Sequence, residues 1–489
     1  MNRISFFILA VLGVSLAGRP ETVPLTLDEA ITRARAESVE AAVALDELRS
    51  DYWEYRSYRA DLLPEVTFDA TLPSYSKQYQ SYMNEDGSYT FVPTNYLEAL
   101  GRLSVTQKIW PTGGTLSLST SLDFLRQFSG DAYNRFMSVP VSVTLNQPIF
   151  SVNETKWSRR IEPVRYREAK AAFLSQTEDV ALTAIQYFFS LLLARENSAT
   201  ARQNLANAEK LYSVAREKCE MGQISKNDLL QMELNLLNAR STLTDCLSEE
   251  HNAMFQLATF LGFPDETVIE PVLPGSVPRI EITYNDVLEK SLERNKFALS
   301  LQRRQLEADY LVAQAKGNLR EINLSASVGY TGEDRDFPGA YRSLRDNQVV
   351  SVGVSIPLLD WGKRRGRVKV AESNREVVAG QLRQEMQSFR QNIFILCERF
   401  NNQQSQLDIA LRSDTIARRR YDTNVETYLV GRISTLDLND SQSSKDAARR
   451  QYIQELYSYW SYFYQIRSLT LWDYTTASPL EINLEKIKE

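Results

Sequence analysis

The chain contains a single histidine, His251, so any Ser-His-Asp nucleophile would depend on that one residue. It stands in a helical run with no nucleophile-elbow sequence around it and reads as a helix-surface residue. The same count excludes a metal centre built on several histidines. Cys219, Cys246 and Cys397 lie inside long helical stretches at unrelated spacings; an odd set of this kind makes no disulfide framework and reads as small buried hydrophobes. No Walker or dinucleotide fingerprint occurs. A net charge of −6 and a pI near 5.4 give no basic face for nucleic acid. No catalytic residue, cofactor or metal is therefore expected.

What remains is to ask what the chain is built to position. Its 489 residues could make two or three ordinary domains, and an apolar content of 43% excludes collagen-like and disordered classes. The start reads Met1-Asn2-Arg3, then an apolar run from Phe6 to Ala17 with Ser15 and Ala17 at the −3 and −1 positions of a cleavage site. That is a secretory signal over residues 1–17, too short for a spanning helix, and no Cys stands beside it to carry a lipid.

Beyond it one unit is written twice. At a shift of 209, Val141-Ser142-Val143 lies over Val350-Ser351-Val352, Pro148 over Pro357, Tyr212 over Tyr421, Gly222 over Gly431, Ile224-Ser225 over Ile433-Ser434, Asp228-Leu229 over Asp437-Leu438 and Ala239-Arg240 over Ala448-Arg449. Upstream, Leu25 to Ala30 opens one half as Ile282 to Val287 opens the other, and Pro264, Pro271, Pro274 and Pro278 mark the connection. The expected organisation is a first repeat over 18–262, a Pro-rich linker over 263–281, a second repeat over 282–474 and a tail over 475–489.

Each half reads helix, strand, strand, then a very long helical hairpin. Neither Gly nor Pro occurs from Val164 to Met221, from Gln223 to Leu261, from Gln381 to Val430 or from Arg432 to Ser478. Helix interiors exclude both, since Gly costs about 1 and Pro about 3 kcal/mol relative to Ala. A run of nearly sixty such positions would reach roughly 85 Å, too long to wrap one compact core. Its apolar residues, among them Phe173, Val180, Ala184, Phe188, Leu191, Leu192, Leu205 and Tyr212, recur at three and four spacing as in a packed helix.

Between the helices the period changes to two. Leu116, Leu118, Leu122 and Phe124 alternate with Ser117, Ser119, Ser121 and Asp123; Val139, Val141, Val143 and Leu145 alternate with Ser138, Ser142, Thr144 and Asn146. The second half repeats the pattern over 321–330 and 348–357. A soluble half-buried sheet shows the same alternation. Export, aromatics placed at strand ends (Tyr75, Trp110, Phe150, Tyr330, Trp361) and the cations Lys363, Arg364, Arg365 and Arg367 just after a strand favour a membrane wall. One protomer has too few strands to close a barrel around a channel, so the wall is shared between copies.

These features resemble the TolC-like outer-membrane efflux family, the outer membrane factors: the duplicated unit, strands ending in Gln147-Pro148-Ile149-Phe150 and Ile356-Pro357-Leu358-Leu359, and a Gly-x-x-x-x-x-Asp-Leu motif in each long hairpin. The resemblance covers nearly all of the chain past the signal. It implies a mixed α and β membrane protein of the outer membrane of a Gram-negative cell. The fold would be a trimeric transmembrane β-barrel continuous with a periplasmic α-helical barrel. Such a homotrimer, set in outer-membrane lipid, passively exports small molecules or proteins for an inner-membrane transporter of the RND or ABC type, through a periplasmic adaptor (membrane fusion) protein. It binds no nucleic acid. The competing readings are a periplasmic coiled-coil scaffold with a soluble sheet and an exported enzyme.

By the same resemblance, Gly222, Ile224 and Ser225, with Gly431, Ile433 and Ser434, are the hairpin tips that meet the adaptor. Asp437 and Asp440 are similar to the aperture carboxylates: three apart, they share a helix face, and threefold symmetry would gather them into a ring at the narrowest point. Asp228, Tyr428 and Arg432 resemble the closed-state latch, Arg432 standing one position before the place, Ile433, where the family has its cation. Gating would be an untwisting of helices that breaks this latch. The first half alone carries residues 74–137, with a hairpin over 101–124; if both its strands join the wall, a trimer has about eighteen strands instead of about twelve.

Overall fold

The computed structural model describes residues 22–128, 132–264, 267–275, 277–355, 359–429 and 432–482; the expected signal 1–17, Pro357, Gly431 and the end of the tail lie outside the described residues. In chain order the elements are β1 (Thr22–Leu25), α1 (Leu27–Glu37), α2 (Val39–Ala60), β2 (Glu65–Met83), β3 (Tyr89–Ile109), β4 (Gly114–Gln127), β5 (Tyr133–Pro148), α3 (Glu154–Glu220), α4 (Lys226–Phe260) and β6 (Val268–Pro271). The second half follows with α5 (Tyr284–Arg294), α6 (Lys296–Gly317), β7 (Glu321–Asp334), α7 (Phe337–Ala340), β8 (Leu344–Ser355), α8 (Lys363–Leu429), α9 (Thr435–Thr470), β9 (Trp472–Asp473) and β10 (Ser478–Pro479). They divide into two compact units. One holds residues up to Glu47, Ala172–Asn295 and Arg390–Leu484; the other holds Leu48–Ala171 and Lys296–Phe389.

The second of these units is built on one six-stranded sheet in the order β2-β3-β4-β5-β7-β8, antiparallel throughout. The two repeats meet in it where β5 pairs with β7, one strand from each. The hairpin over 101–124 is part of the sheet, its strands β3 and β4 lying hydrogen-bonded between β2 and β5. Both run further than the alternation suggested: β3 starts at Tyr89 and pairs with β2 out to Met83. The turn between β3 and β4 uses Gly113 at φ +79°, a left-handed conformation that disfavours a side chain. Beside the sheet, Arg303 of α6 holds Glu168 of α3 at 2.7 Å, and Tyr55 stacks on Tyr166 with centroids 4.6 Å apart.

The first unit is helical. Phe188 of α3, Phe400 of α8 and Tyr459 and Phe463 of α9 are buried together, with Tyr459 and Phe400 centroids 5.3 Å apart and the Tyr459 hydroxyl donating to the Pro278 carbonyl. Val180, Ala184, Leu191 and Leu192 of the expected α3 stripe are buried; Leu205, Leu211 and Tyr212, nearer the end of α3, are only half-buried. Ion pairs are sunk in the same core: Glu178, whose side chain is 4% exposed, accepts from Arg467 Nε at 3.1 Å and from Arg35 Nη2 at 2.6 Å, while Arg467 Nη1 reaches Asp473 at 2.8 Å.

Several expectations are corrected. The opening helix of each repeat is two helices, broken at Ser38 and Asn295, whose ψ values of 146° and 143° interrupt the helical path. The long helices start before the Gly- and Pro-free runs: α3 contains Pro163 near its start, and α8 passes through Gly366 and Gly380, because packing outweighs one unfavourable residue. The Pro-rich linker is not merely a connection, for its β6 pairs in parallel with β1. Tyr75 and Tyr330 lie inside β2 and β7 and not at strand ends, since the strands run longer than the sequence pattern. Lys363 to Arg367 follow the turn at 359–362 and form the first turns of α8. Cys397 is buried, which pushes its thiol up to about 11, whereas Cys219 and Cys246 are half-buried.

Candidate functional site

The sheet segregates its side chains by the pleat. One row runs Val66-Val105-Leu118-Val143-Val328 through five adjacent strands. The neighbouring row on the opposite face runs Thr67-Ser104-Ser119-Ser142-Gly329. The polar face is knitted across strands, Thr67 to Ser104 at 2.7 Å, Thr106 to Ser117 at 3.1 Å and Ser142 to Ser327 at 3.3 Å. Leu118, Val143 and Val328 of the apolar row are exposed beside half-buried Ser119 and Ser142, while on β8 Val350, Val352 and Val354 are exposed together with Ser351. A sheet that folded for water would bury that face and wet the other. Here small hydroxyl side chains hydrogen-bond one another on one face and branched aliphatics share the other, a division that fits a wall between water and lipid. Among the described residues β2 and β8 each pair on one side only, leaving two open edges.

At the turn of each long hairpin, local chemistry builds the tips. Gly222, at φ +71°, closes α3 with a Schellman arrangement: Gln223 N donates to Lys218 O at 2.8 Å and Gly222 N to Cys219 O at 2.9 Å. Ser225 then opens α4 with a capping box. Its hydroxyl accepts from Asp228 N at 3.1 Å, while the Asp228 carboxylate accepts from Ser225 N at 3.1 Å and Ser225 Oγ at 2.8 Å. Among the described residues the second tip repeats the outer closing bond and the capping box. Arg432 N donates to Thr427 O at 3.1 Å, Asp437 N to Ser434 Oγ at 3.2 Å, and Ser434 N and Oγ to Asp437 Oδ2 at 3.3 and 2.7 Å. The recurring Ile-Ser-x-x-Asp-Leu sequence is thus a capping box at the start of the return helix, a signal open to sequence reading through its Ser-x-x-Asp spacing.

Those bonds locate the remaining site residues. Asp228 and Asp437 are exposed third residues of capped helices. The hydrogen bonds from the Ser434 side chain and backbone, with Arg420 nearby, hold the Asp437 carboxyl below the usual carboxylate range. Asp440 is exposed and pairs with Arg420 Nη2 of α8 at 2.7 Å. The partners that the structure gives Asp228 belong to Ser225; Arg432 is exposed, Ile224 and Ile433 are half-buried, and the side chain of Tyr428 lies outside the described residues. Among the described residues no cluster of His, Cys, Asp or Glu could hold a metal, His251 is exposed on α4, and no helix is long and apolar enough to cross a membrane.

The comparisons with known proteins fall on the same elements. The family model described as outer membrane efflux protein matches residues 113–263 and 287–470, which take in most of both repeats. The chain belongs to the outer membrane efflux protein family. As a member it is an efflux channel protein of the outer membrane. The Campylobacter jejuni CmeC outer membrane channel shares its fold with a TM-score of 0.66 at 16% identity, over 94% of this chain and 88% of that one. The outer membrane protein VceC of Vibrio cholerae gives 0.62 at 12% identity, over 93% and 97%. The open state of the Neisseria gonorrhoeae MtrE outer membrane channel gives 0.57 at 13%, over 91% and 88%. No curated protein sequence matches the chain.

In this efflux protein a second polar layer, absent from the sequence reading, joins the two long hairpins above the tips. Arg449 of α9 binds Glu196 of α3 and reaches Asp414 of α8 at 3.5 Å; Asn204 of α3 donates to Asp446 at 2.9 Å, and Asn207 to the Tyr421 hydroxyl at 2.7 Å. Burial pushes the Tyr421 hydroxyl up, against the lowering effect of Asn207. The repeat held a clue, since Arg449 and Tyr421 occupy the places of Arg240 and Tyr212. The partners differ, however: Arg240 pairs with an exposed Glu209 at 3.4 Å.

Proposed function

We propose that three copies of the chain close one wall, each supplying six strands, so that a trimer makes about eighteen, and that their helices form a periplasmic duct. The observation that carries this reading is the exposed aliphatic face on a sheet with two open edges. Lipid satisfies the face, and pairing of β2 with β8 of the next copy satisfies the edges. The two repeats then occupy 18–262 and 282–474 with the Pro-rich segment between them. A soluble sheet on a coiled-coil scaffold would leave the apolar face in water.

The duct would conduct passively for an inner-membrane transporter of a tripartite efflux pump or a type I secretion system, joined through a periplasmic adaptor at Gly222 to Ser225 and Gly431 to Ser434. The capping boxes support the tip assignment by giving both turns one rigid geometry. Asp437 and Asp440 would supply a ring of negative charge. The hydrogen bonds at Asp437 favour its ionised form, and Arg420 offsets part of the Asp440 charge. Asp228, Tyr428 and Arg432 would hold the closed state.

The test is reconstitution of the detergent-purified protein in planar bilayers, with its mass in detergent measured by light scattering. Expected are a three-copy assembly, stepwise conductance, and weaker block by multivalent cations in the Asp437→Asn, Asp440→Asn double variant. A monomer that stays in solution without detergent and carries no current refutes the reading.

A further inference from the structure

Every connection between sheet and long helices lies at one end of the sheet: α2 enters β2 there, β5 leaves into α3, α6 enters β7 and β8 leaves into α8. The β3–β4 turn lies at the same end. These junctions touch one another. Asn153 Nδ2 donates to Trp110 O at 2.8 Å, a Cβ on Gly317 would meet Phe150 O at 3.1 Å, and Arg364 Nη1 donates to Asn318 O at 2.9 Å.

The rim so formed combines two surface types that water alone does not favour side by side. Its large apolar groups are bare: Leu359 is 70% and Trp361 89% exposed, and Leu63, Trp110, Ile149 and Phe150 are exposed as well. Its cations are Arg159, Arg160, Lys363, Arg364, Arg365 and Arg367, and among the described residues none of them has a carboxylate within ion-pair distance. The nearby acids are already engaged. Asp360 accepts from Gly362 N and Arg364 N at 2.9 and 3.1 Å, Glu162 pairs with Arg165, Asp61 with Lys108, and Glu372 with Lys316 and Lys369. Arg159 and Arg160 instead lie over the rings of Trp110 and Trp157, at 4.1 and 5.0 Å.

We propose that this rim binds the phosphate groups of anionic phospholipids in the periplasmic leaflet, with Trp361 and Leu359 at the level of the acyl-headgroup boundary and Lys363, Arg365 and Arg367 reaching the phosphates. The proposal rests on the membrane reading of the sheet. It adds a charge preference that a purely apolar band would not have. Arg364 is held by backbone carbonyls and acts as a fixed strut, so the three cations around it carry the preference.

The experiment uses the full protein reconstituted in phosphatidylcholine bilayers containing a minor fraction of brominated lipid, either phosphatidylglycerol or phosphatidylcholine, with tryptophan fluorescence as readout. Quenching by brominated phosphatidylcholine reports insertion; if neither lipid quenches, the membrane reading itself fails. With insertion established, the excess for phosphatidylglycerol reports the rim, and roughly fivefold local enrichment is expected from a few cations near a headgroup. The enrichment should fall to near unity in Lys363→Gln/Arg365→Gln/Arg367→Gln and in high salt. It should persist in Lys369→Gln/Arg375→Gln, whose cations already pair with Glu372 and Glu376. Equal quenching by the two lipids in the wild type, or an undiminished preference in the triple variant, overturns the proposal. So does a triple variant whose only defect is loss of assembly in detergent, which would make the rim a contact between copies.

Discussion

The Arg467–Glu178 pair allows a quantitative test of what holds α3 against α9. The Glu178 side chain is 4% and the Arg467 side chain 9% exposed, so each ion depends on its partner to replace lost hydration. Removing one partner of a buried pair costs about 3–5 kcal/mol. Arg467→Met is expected at the low end, about 3 kcal/mol, because Arg35 still reaches Glu178 from α1 at 2.6 Å. Glu178→Met should cost a similar amount, since it leaves Arg467 with Asp473 alone. The double variant replaces the pair by apolar groups of like volume, which is often near neutral, so its cost should be about 1 kcal/mol, far short of the sum. At about 2–4 °C per kcal/mol for a unit of this size, each single variant lowers the melting temperature by roughly 6–12 °C. Thermal unfolding in detergent, followed by far-ultraviolet circular dichroism, measures all three. A single-variant loss below about 0.5 kcal/mol, or strict additivity in the double variant, would refute the claim that these charges stabilise only as a pair.

Three further outcomes are expected. Ser225→Ala and Ser434→Ala each remove one capping hydroxyl and should cost about 1 kcal/mol, seen as faster amide exchange in the first turns of α4 and α9; unchanged exchange there would count against the capping boxes. Arg420→Gln frees Asp440 and should strengthen block of the channel current by multivalent cations, whereas weaker or equal block would remove Asp440 from the conduction path. Burial alone would raise the Asp473 carboxyl, but Thr475 and then Arg467 hold it below its ordinary 3.8. A depressed folded value stabilises above the unfolded one and is lost on acidification, so stability should fall as pH drops below about 3.8, and Asp473→Asn should flatten that part of the profile.

The duplication, the helix-strand alternation and the tips were legible because each depends on local rules. The Ile-Ser-x-x-Asp-Leu sequence caps the helix it opens wherever it stands, so both return helices carry the same capping box at a shift of 209. Alternation of Val and Leu with Ser and Thr likewise determined which residues share a sheet face. The same locality gives Asp437 and Asp228 a capping role beside those proposed for them, since each stands three residues after a Ser and accepts from its hydroxyl. The break at Ser38 is itself local, its hydroxyl accepting from Ala41 N at 3.1 Å at the start of α2, whereas the pairing of β1 with β6 had no local signal, because it joins segments far apart in the chain.

The sequence by itself determined two copies of one unit, the period of every long element and the chemistry of its ends, since backbone propensity and capping act over a few residues. Only the tertiary structure decided that the extra hairpin lies between β2 and β5, that Leu118, Val143 and Val328 are left exposed, and that Arg449 meets Glu196 and Asp414 while its repeat mate Arg240 stays at the surface. Those outcomes depend on strand register and helix packing across hundreds of residues, where identical local sequence meets different neighbours.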